Sequence, residues 1–325
     1  MTNIQYFIGP MTKNVVDVAI EYANNTGHKL ALIPSRRQIE FNGGYVNNWT
    51  TSEFAHYVRS KTNNILLVRD HAGPGQGQID DDGYVSLAED CNHLDVIHID
   101  PWKKYPTFEL GLYETIRMIQ YCYEINPNIE YEIGTEQSIR KFESYELDEL
   151  VCQLKSKLPA VIFNQIKYLV IQSGTSLNGN LQTGQFDPIR LQNMLSVCKK
   201  HNLISKEHNG DYIPVDIIKQ KFDLGLHSIN IAPEFGLIET QTYLDRINTD
   251  NMLEELWNIC YQSGKWKKWV TAEFDPLKNK TELIQICGHY VVSVDKFLGI
   301  KNNFPYIDSE IQKRIYLKLK ELNGN

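Results

Sequence analysis

The chain of 325 residues, 42% hydrophobic and 22% charged, can bury one large core, and nothing in its composition points to disorder or collagen-like repetition. Its formal net charge of −7 gives no electrostatic reason to bind nucleic acid or an anionic membrane. No apolar run approaches the roughly 20 residues that span a bilayer, and the N-terminus lacks the pattern of a signal peptide, so a soluble, cytoplasmic protein is expected.

Short β-rich apolar runs recur along the chain, most of them followed by a stretch with helical periodicity. The runs are 4–8, 30–33, 65–68, 96–99, 129–133, 168–171, 203–205 and 228–231. After the first two come helical stretches over 15–23 and 51–60, with apolar residues at i, i+3 and i+4. The third connection is weaker, with only 86–90 as a short helix, and the next four carry 110–123, 146–154, 189–198 and 215–222. Helix-start chemistry supports two of these: Thr50 precedes Glu53 at capping-box spacing, and Asp187-Pro188 places proline in a first helical turn. From about Leu237 the chain reads as several helices, including 252–261 and 311–322. These are the eighth helix and an extension able to form a lid or an oligomer contact.

Eight alternating units fit an α/β fold of the parallel (β/α)8, or TIM barrel, type. An open doubly wound sheet is the alternative, but no G-x-G-x-x-G follows the first run. The expected division is a barrel over 1–245 and a C-terminal helical extension packed on it over 246–325. Cys91, Cys122, Cys152, Cys198, Cys260 and Cys287 form no C-x-x-C pair, which argues against a zinc ribbon, a redox pair or a disulfide framework. The lysines Lys265, Lys267 and Lys268 are able to bind a phosphate, but such a cluster reads first as a solvated face.

In a parallel barrel the site is built at the C-terminal ends of the strands, and the polar residues concentrate there. The third run ends in Arg69-Asp70-His71 and enters Ala72-Gly73-Pro74-Gly75-Gln76-Gly77; the fourth ends in Asp100-Pro101-Trp102-Lys103. The fifth ends in Gly134-Thr135-Glu136-Gln137 and the sixth in Gln172-Ser173-Gly174. Lys206-Glu207-His208-Asn209-Gly210-Asp211 closes the seventh, and Asn230 with Pro233-Glu234 the eighth. Two histidines and several carboxylates converging on one face suit a divalent metal. Zinc is the expected ion, with manganese or cobalt as alternatives. His98 shares the parity of Asp100 and can point into the barrel, whereas His28, His56, His93, His201, His227 and His289 read as structural or exposed.

Several short segments carry a family resemblance: Asn42-Gly43-Gly44-Tyr45 with Trp49-Thr50, Asp70-His71-Ala72-Gly73-Pro74, His98-Ile99-Asp100 and Ile133-Gly134-Thr135-Glu136. Glu207-His208 with Asp211-Tyr212, and Ile231-Ala232-Pro233, continue it. In this order, over roughly residues 30–235, the chain resembles the class II D-tagatose-bisphosphate aldolase accessory (non-catalytic) subunits. That family is similar to metal-dependent class II ketose-bisphosphate aldolases and is related to tagaturonate and ketose epimerases.

The resemblance implies Asp70 as catalytic acid/base, His71 and His208 as metal ligands, and Glu136 as the third ligand, with Glu132 and Gln172 as alternatives. Asp100 is a second candidate catalytic carboxylate. Asn230 corresponds to a substrate contact near the phosphate. Ser173, Gly174 and Gly210 lie where backbone N–H groups and a hydroxyl can cradle a phosphate. Lys103, Gln172, Asn209 and Glu234 complete the expected substrate-binding set. Two loops depart from the family: Gly75-Gln76-Gly77-Gln78 stands in place of an Asn-Pro-Trp sequence, and Asn209-Gly210 replaces a Ser-Thr pair. The sugar therefore need not be the family's own.

Such a site favours a retro-aldol step through a metal-stabilised enediolate, in which a carboxylate moves the proton. Three readings follow: an epimerase or aldolase of a sugar or sugar phosphate, a non-catalytic stabilising partner of a class II aldolase catalytic subunit, and a sugar-phosphate binding protein without turnover. Family members are sometimes labelled sugar-phosphate kinases, but no G-x-x-x-x-G-K-[ST] phosphate loop occurs here.

Overall fold

Eight parallel strands close into a barrel in the computed structural model, which describes residues 4–178 and 181–324. They are β1 (Tyr6–Ile8), β2 (Leu30–Leu32), β3 (Ile65–Ala72), β4 (Val96–Ile99), β5 (Glu130–Ile133), β6 (Ile166–Ile171), β7 (Ile204–Glu207) and β8 (Ser228–Ile231). Each pairs with its neighbour in chain order, and β8 pairs with β1 to close the ring. Outside lie α1 (Lys13–Thr26), α2 (Thr51–Arg59), α3 (Tyr84–His93), α4 (Phe108–Ile125), α5 (Ser144–Lys157), the one-turn α6 (Ala160–Phe163), α7 (Pro188–His201), α8 (Val215–Asp223) and α9 (Pro233–Arg246). This is the (β/α)8 barrel that the alternation of runs predicts, each run forming a barrel strand.

Local start signals act as expected. Thr50 and Glu53 cap α2 reciprocally, and the Asp187 carboxylate accepts from the N–H groups of Ile189 and Arg190 ahead of α7. Two elements are longer than their periodicity suggests. Strand β3 runs on to Ala72, and α3 spans Tyr84–His93 because Gly83, at φ 80°, turns the chain into the helix two residues early.

Strand parity divides the core. Phe7, Ala31, Val68, Val96 and Tyr168 pack together inside the barrel, while Ile8, Leu32, Leu67, Ile97, Ile133, Leu169 and Ile231 face the helices. The apolar interior residues occupy one end of the barrel. Towards the C-terminal end the same inward rows continue as Asp70, His98, Glu132, Lys206, His208 and Asn230, which are polar.

The chain after α9 forms α10 (Asp250–Ser263), a 3-10 turn at Lys267–Trp269, α11 (Lys280–Cys287), a second 3-10 turn at Gly288–Tyr290, α12 (Asp295–Lys301) and α13 (Ile307–Asn323). Helix α13 lies against the barrel: the Tyr6 hydroxyl donates to Leu322 O (2.6 Å), Gln312 Nε2 to Asn14 Oδ1 (3.0 Å), and Arg246 pairs with Glu310. Five of the six free cysteines are buried and Cys152 is half-buried. No single helix among the described residues is long and apolar enough to cross a membrane.

Glu239 on α9 is buried, accepting from the Thr12 hydroxyl and from Asn14 Nδ2 (3.2 Å). Burial lifts its carboxyl to about 7, against the opposing hydrogen bonds and with Asp308 adding to the rise. The native state thus holds this proton more tightly than the unfolded chain, so stability falls as pH climbs from about 4.5 to about 7. Glu239→Gln is expected to stabilise the protein by roughly 1–3 kcal/mol at pH 8 and to lose that advantage below pH 5. Thermal melts at the two pH values check this; an equal gain at both would mean that the carboxyl does not titrate on unfolding.

Candidate active site at the barrel mouth

The register between β3 and β4 slips by one residue: Arg69 pairs with Ile97 and Ala72 with Ile99, so Asp70 and His71 together oppose His98. In an even strand adjacent side chains point to opposite faces. The bulge, with His71 in the left-handed region at φ 49°, brings both Asp70 and His71 to the mouth instead. Arg69, pointing outward and fully buried, anchors this stretch through Asp90 (2.6 Å), the Thr51 hydroxyl (3.0 Å) and the carbonyls of Pro34 and Ile39.

Four side chains converge there: Asp70 and His71 from β3, His98 from β4, and His208 just beyond β7, each with a ligand-capable atom within 4.8 Å of the others. The three imidazole centroids are 5.0–5.1 Å apart. Asp70 sits between them, with Oδ1 at 3.8 Å from both His98 Nδ1 and His208 Nδ1 and Oδ2 at 3.7 Å from His71 Nε2.

Each imidazole is tied through its other nitrogen to a fixed acceptor. His71 Nδ1–H donates to Asp100 Oδ2 (2.6 Å), His98 Nε2–H to Gly134 O (3.0 Å) and His208 Nε2–H to Glu132 Oε1 (2.8 Å). This outer layer sets tautomer and ring direction, as it does around metal-ligating histidines. His98 Nδ1 also accepts the His71 backbone N–H at 3.2 Å, a contact that a cation would have to displace.

The electrostatics favour positive charge at the centre. Burial would raise the Asp70 carboxyl, but His71, His98 and His208 hold it well below the usual carboxylate range. His71 is pushed up to about 10: burial opposes this, and Asp70, Asp100 and Glu136 overcome it. Burial lowers His208, the form that ligates being the neutral one. The donor set and its buried acceptors fit a divalent metal.

The remaining expected residues fall into three groups. Glu136, Lys103, Asn209 and Asn230 line the same cavity as Asp70, His71 and His208. Glu136 nevertheless lies outside the four-residue cluster, its carboxylate accepting from the Ser138 hydroxyl (2.5 Å), and the buried His98 occupies the third histidine position instead. Asp100 and Glu132 stand behind the imidazoles: Asp100 holds His71 and accepts from Gln76 Nε2 (3.0 Å), and Glu132 pairs with both His208 and Lys206 (2.5 Å). Asp100 is therefore a positioning residue for His71.

The third group is committed elsewhere. Gln172 bridges Phe142 N, Thr135 O and Arg140 O, and Glu234 accepts from Tyr212 N and Lys318. Ser173 directs both N–H and hydroxyl to Glu207, and the Gly210 N–H donates to Asn230 O (2.9 Å). Gly174, at φ 95°, packs so closely that a Cβ would fall 2.4 Å from Gln185 O. These three glycine and serine positions serve backbone packing, and the expected phosphate cradle is not presented to the cavity.

The cavity holds about 370 Å³ and gains walls from residues that strand-end reading does not reach. Arg37, Gln38 and Tyr45 come from the β2–α2 connection, and Lys268, Trp269 and Tyr290 from the two 3-10 turns of the extension. Lys268 is solvent-exposed, as its reading as part of a solvated face expects, and also lines the cavity rim. Parity turns His98, two residues before Asp100, into the barrel without marking it as a ligand, and the basic run at Lys265, Lys267 and Lys268 signals a capacity for phosphate without placing it at the mouth.

The chain is thus a TIM barrel whose mouth carries three histidines around a carboxylate. No family model and no curated protein matches its sequence. Among solved structures it is similar to a probable tagatose 6 phosphate kinase from Sinorhizobium meliloti 1021, with TM-score 0.74 and 16% identity over 98% of this chain and 93% of that one. It is also similar to the fructose-bisphosphate aldolase (Fba) from Campylobacter jejuni (TM-score 0.59, 14% identity, 99% and 90% covered). The YdjI aldolase from Escherichia coli K12 shares the fold as well (TM-score 0.55, 12% identity, 99% and 91% covered). At these identities the likeness establishes the fold, a (β/α)8 barrel, and nothing finer.

Proposed function

We propose that the protein is a metal-dependent epimerase or aldolase of a ketose or ketose phosphate, working by a retro-aldol step. The observation that carries this reading is the set of three imidazoles, each anchored by one nitrogen and turning the other towards Asp70. His71, His98 and His208 would hold the ion, with zinc the first candidate and manganese or cobalt the alternatives. When bound, the ion supplies Lewis-acid polarisation of substrate oxygens.

Asp70, held ionised, accepts the proton of the hydroxyl β to the ketose carbonyl. The adjacent C–C bond then breaks, its electron pair staying on the carbonyl-side fragment as an enediolate while the carbinol carbon becomes an aldehyde. Return of the pair to the opposite aldehyde face, with the proton given back by Asp70, yields the 4-epimer; departure of the aldehyde yields aldolase products. Asn230, whose Nδ2 is 3.4 Å from Asp70 Oδ1 and whose Oδ1 has no partner among the described residues, orients the carboxylate and is free to meet a substrate hydroxyl.

The test is product analysis of metal-loaded protein with ketose phosphates, free ketoses and ketouronates. An epimer at C4 or a trapped aldehyde is expected. Inertness across all three classes, with the metal present, would reject an enzyme. In that case, stabilisation of a class II aldolase catalytic subunit that survives His208→Ala would establish the accessory role.

A further inference from the structure

The cavity has two chemically distinct halves. Its floor is the cluster of the half-buried Asp70 and His71 with the buried His98 and His208. Its rim carries Arg37, Lys103 and Lys268, which come from the β2–α2 connection, the β4–α4 connection and the extension. Arg37 Nε donates to Gly77 O (3.2 Å) and Lys103 Nζ to Gly75 O (2.8 Å), so both grip the Gly75-Gln76-Gly77 loop through neutral carbonyls. The Lys268 ammonium lies 4.2 Å from the Trp269 ring centre and 5.5 Å from that of Tyr290.

Lys104, next to Lys103, is paired with Asp80, whereas the ammonium groups of Lys265 and Lys267, beside Lys268, meet only the rings of Tyr290 and Trp266 among the described residues. Arg37, Lys103 and Lys268 have no carboxylate ion-pair partner among the described residues. Three parts of the chain thus bring unpaired positive charge to one cavity, at a mutual electrostatic cost. That cost is felt at Lys268, exposed at the rim, whose ammonium is pushed down by desolvation beside the rings and by the charges of Arg37, Lys103 and Lys265. An anion placed among them would relieve the repulsion. Two of the amides expected to take a phosphate, those of Ser173 and Gly210, are bonded within the chain.

We propose that Arg37, Lys103 and Lys268 form the subsite for an anionic group on the substrate, a phosphate monoester or a sugar carboxylate, at the end remote from the carbons over Asp70. This rests on the retro-aldol reading for the substrate's identity, but the anion site itself stands on the rim's own geometry. The extension is then part of the binding site, because Lys268 belongs to it.

Calorimetric titration with inorganic phosphate and with acetate tests the subsite in the parent protein, in Arg37→Met/Lys268→Met and in Lys104→Met. Phosphate or acetate is expected to bind the parent, to weaken as salt rises, and to lose roughly tenfold or more in affinity in the double variant while Lys104→Met binds normally. The better-bound anion identifies the group as phosphate-like or carboxylate-like. Anion binding unaltered in the double variant, or no binding of either anion to the parent, overturns the proposal. Elemental analysis of the same samples separates this from the function above: metal content is expected to be unchanged in the double variant, so loss of metal from the parent would sink the retro-aldol reading while leaving the anion result to stand or fall alone. Where turnover is found, KM for the anionic sugar rises and KM for the uncharged ketose does not.

Discussion

Purified without chelator, the parent protein is expected to carry stoichiometric divalent metal and the His208→Ala variant close to none. His208 is 3% exposed, fixed through Nε2 by Glu132, and presents Nδ1 at 3.8 Å from Asp70. Removing one of three imidazoles takes away a direct donor, whereas changing an outer-layer partner typically costs about 10–100-fold in metal affinity. Glu132→Gln should therefore fall within that range and His208→Ala beyond it. Glu132 keeps its Lys206 partner in the alanine variant, so the fold is expected to persist, with circular dichroism as the control. His71→Ala should behave like His208→Ala, and Glu136→Ala should retain the metal. Loss of metal from Glu136→Ala, with His98→Ala unaffected, would restore Glu136 as the third ligand.

Asp70→Asn is expected to fold and keep its metal while turnover falls by about 10²–10⁴-fold, the usual worth of a positioned proton acceptor. Asparagine preserves the shape and can still meet Asn230, but it cannot take the hydroxyl proton. The competing role is ligation: Asp70 stands as close to His98 and His208 as a fourth ligand would. Elemental analysis decides between them. An Asp70→Asn protein stripped of metal would move Asp70 from proton transfer to metal binding, and Asp100 could not replace it as the acceptor, being fully buried behind His71.

The periodicity of the chain determined the barrel and most of the inward rows. Alternation along β4, β5, β7 and β8 sends His98, Glu132, Lys206 and Asn230 inward by the same rule that sends Val96 and Phe7 there, and this depends only on backbone geometry within each strand. Parity does not extend past a strand end or through a bulge. Asp70 and His71 share the mouth because the β3–β4 register slips, a property of the pair of strands. Glu136 lies three residues beyond β5, after Gly134 at φ 101°, where the path of the loop decides what a side chain reaches. Which amides remain free for a ligand was likewise beyond local reading, since the Ser173 N–H is taken by Glu207 on the next strand and the Gly210 N–H by Asn230 O. Lys268 joins Arg37 and Lys103 only because the extension folds back over the mouth. Residues so far apart in the chain meet through closure of the barrel and docking of helices, and those are set by the sum of burial over the whole molecule, which no single segment encodes.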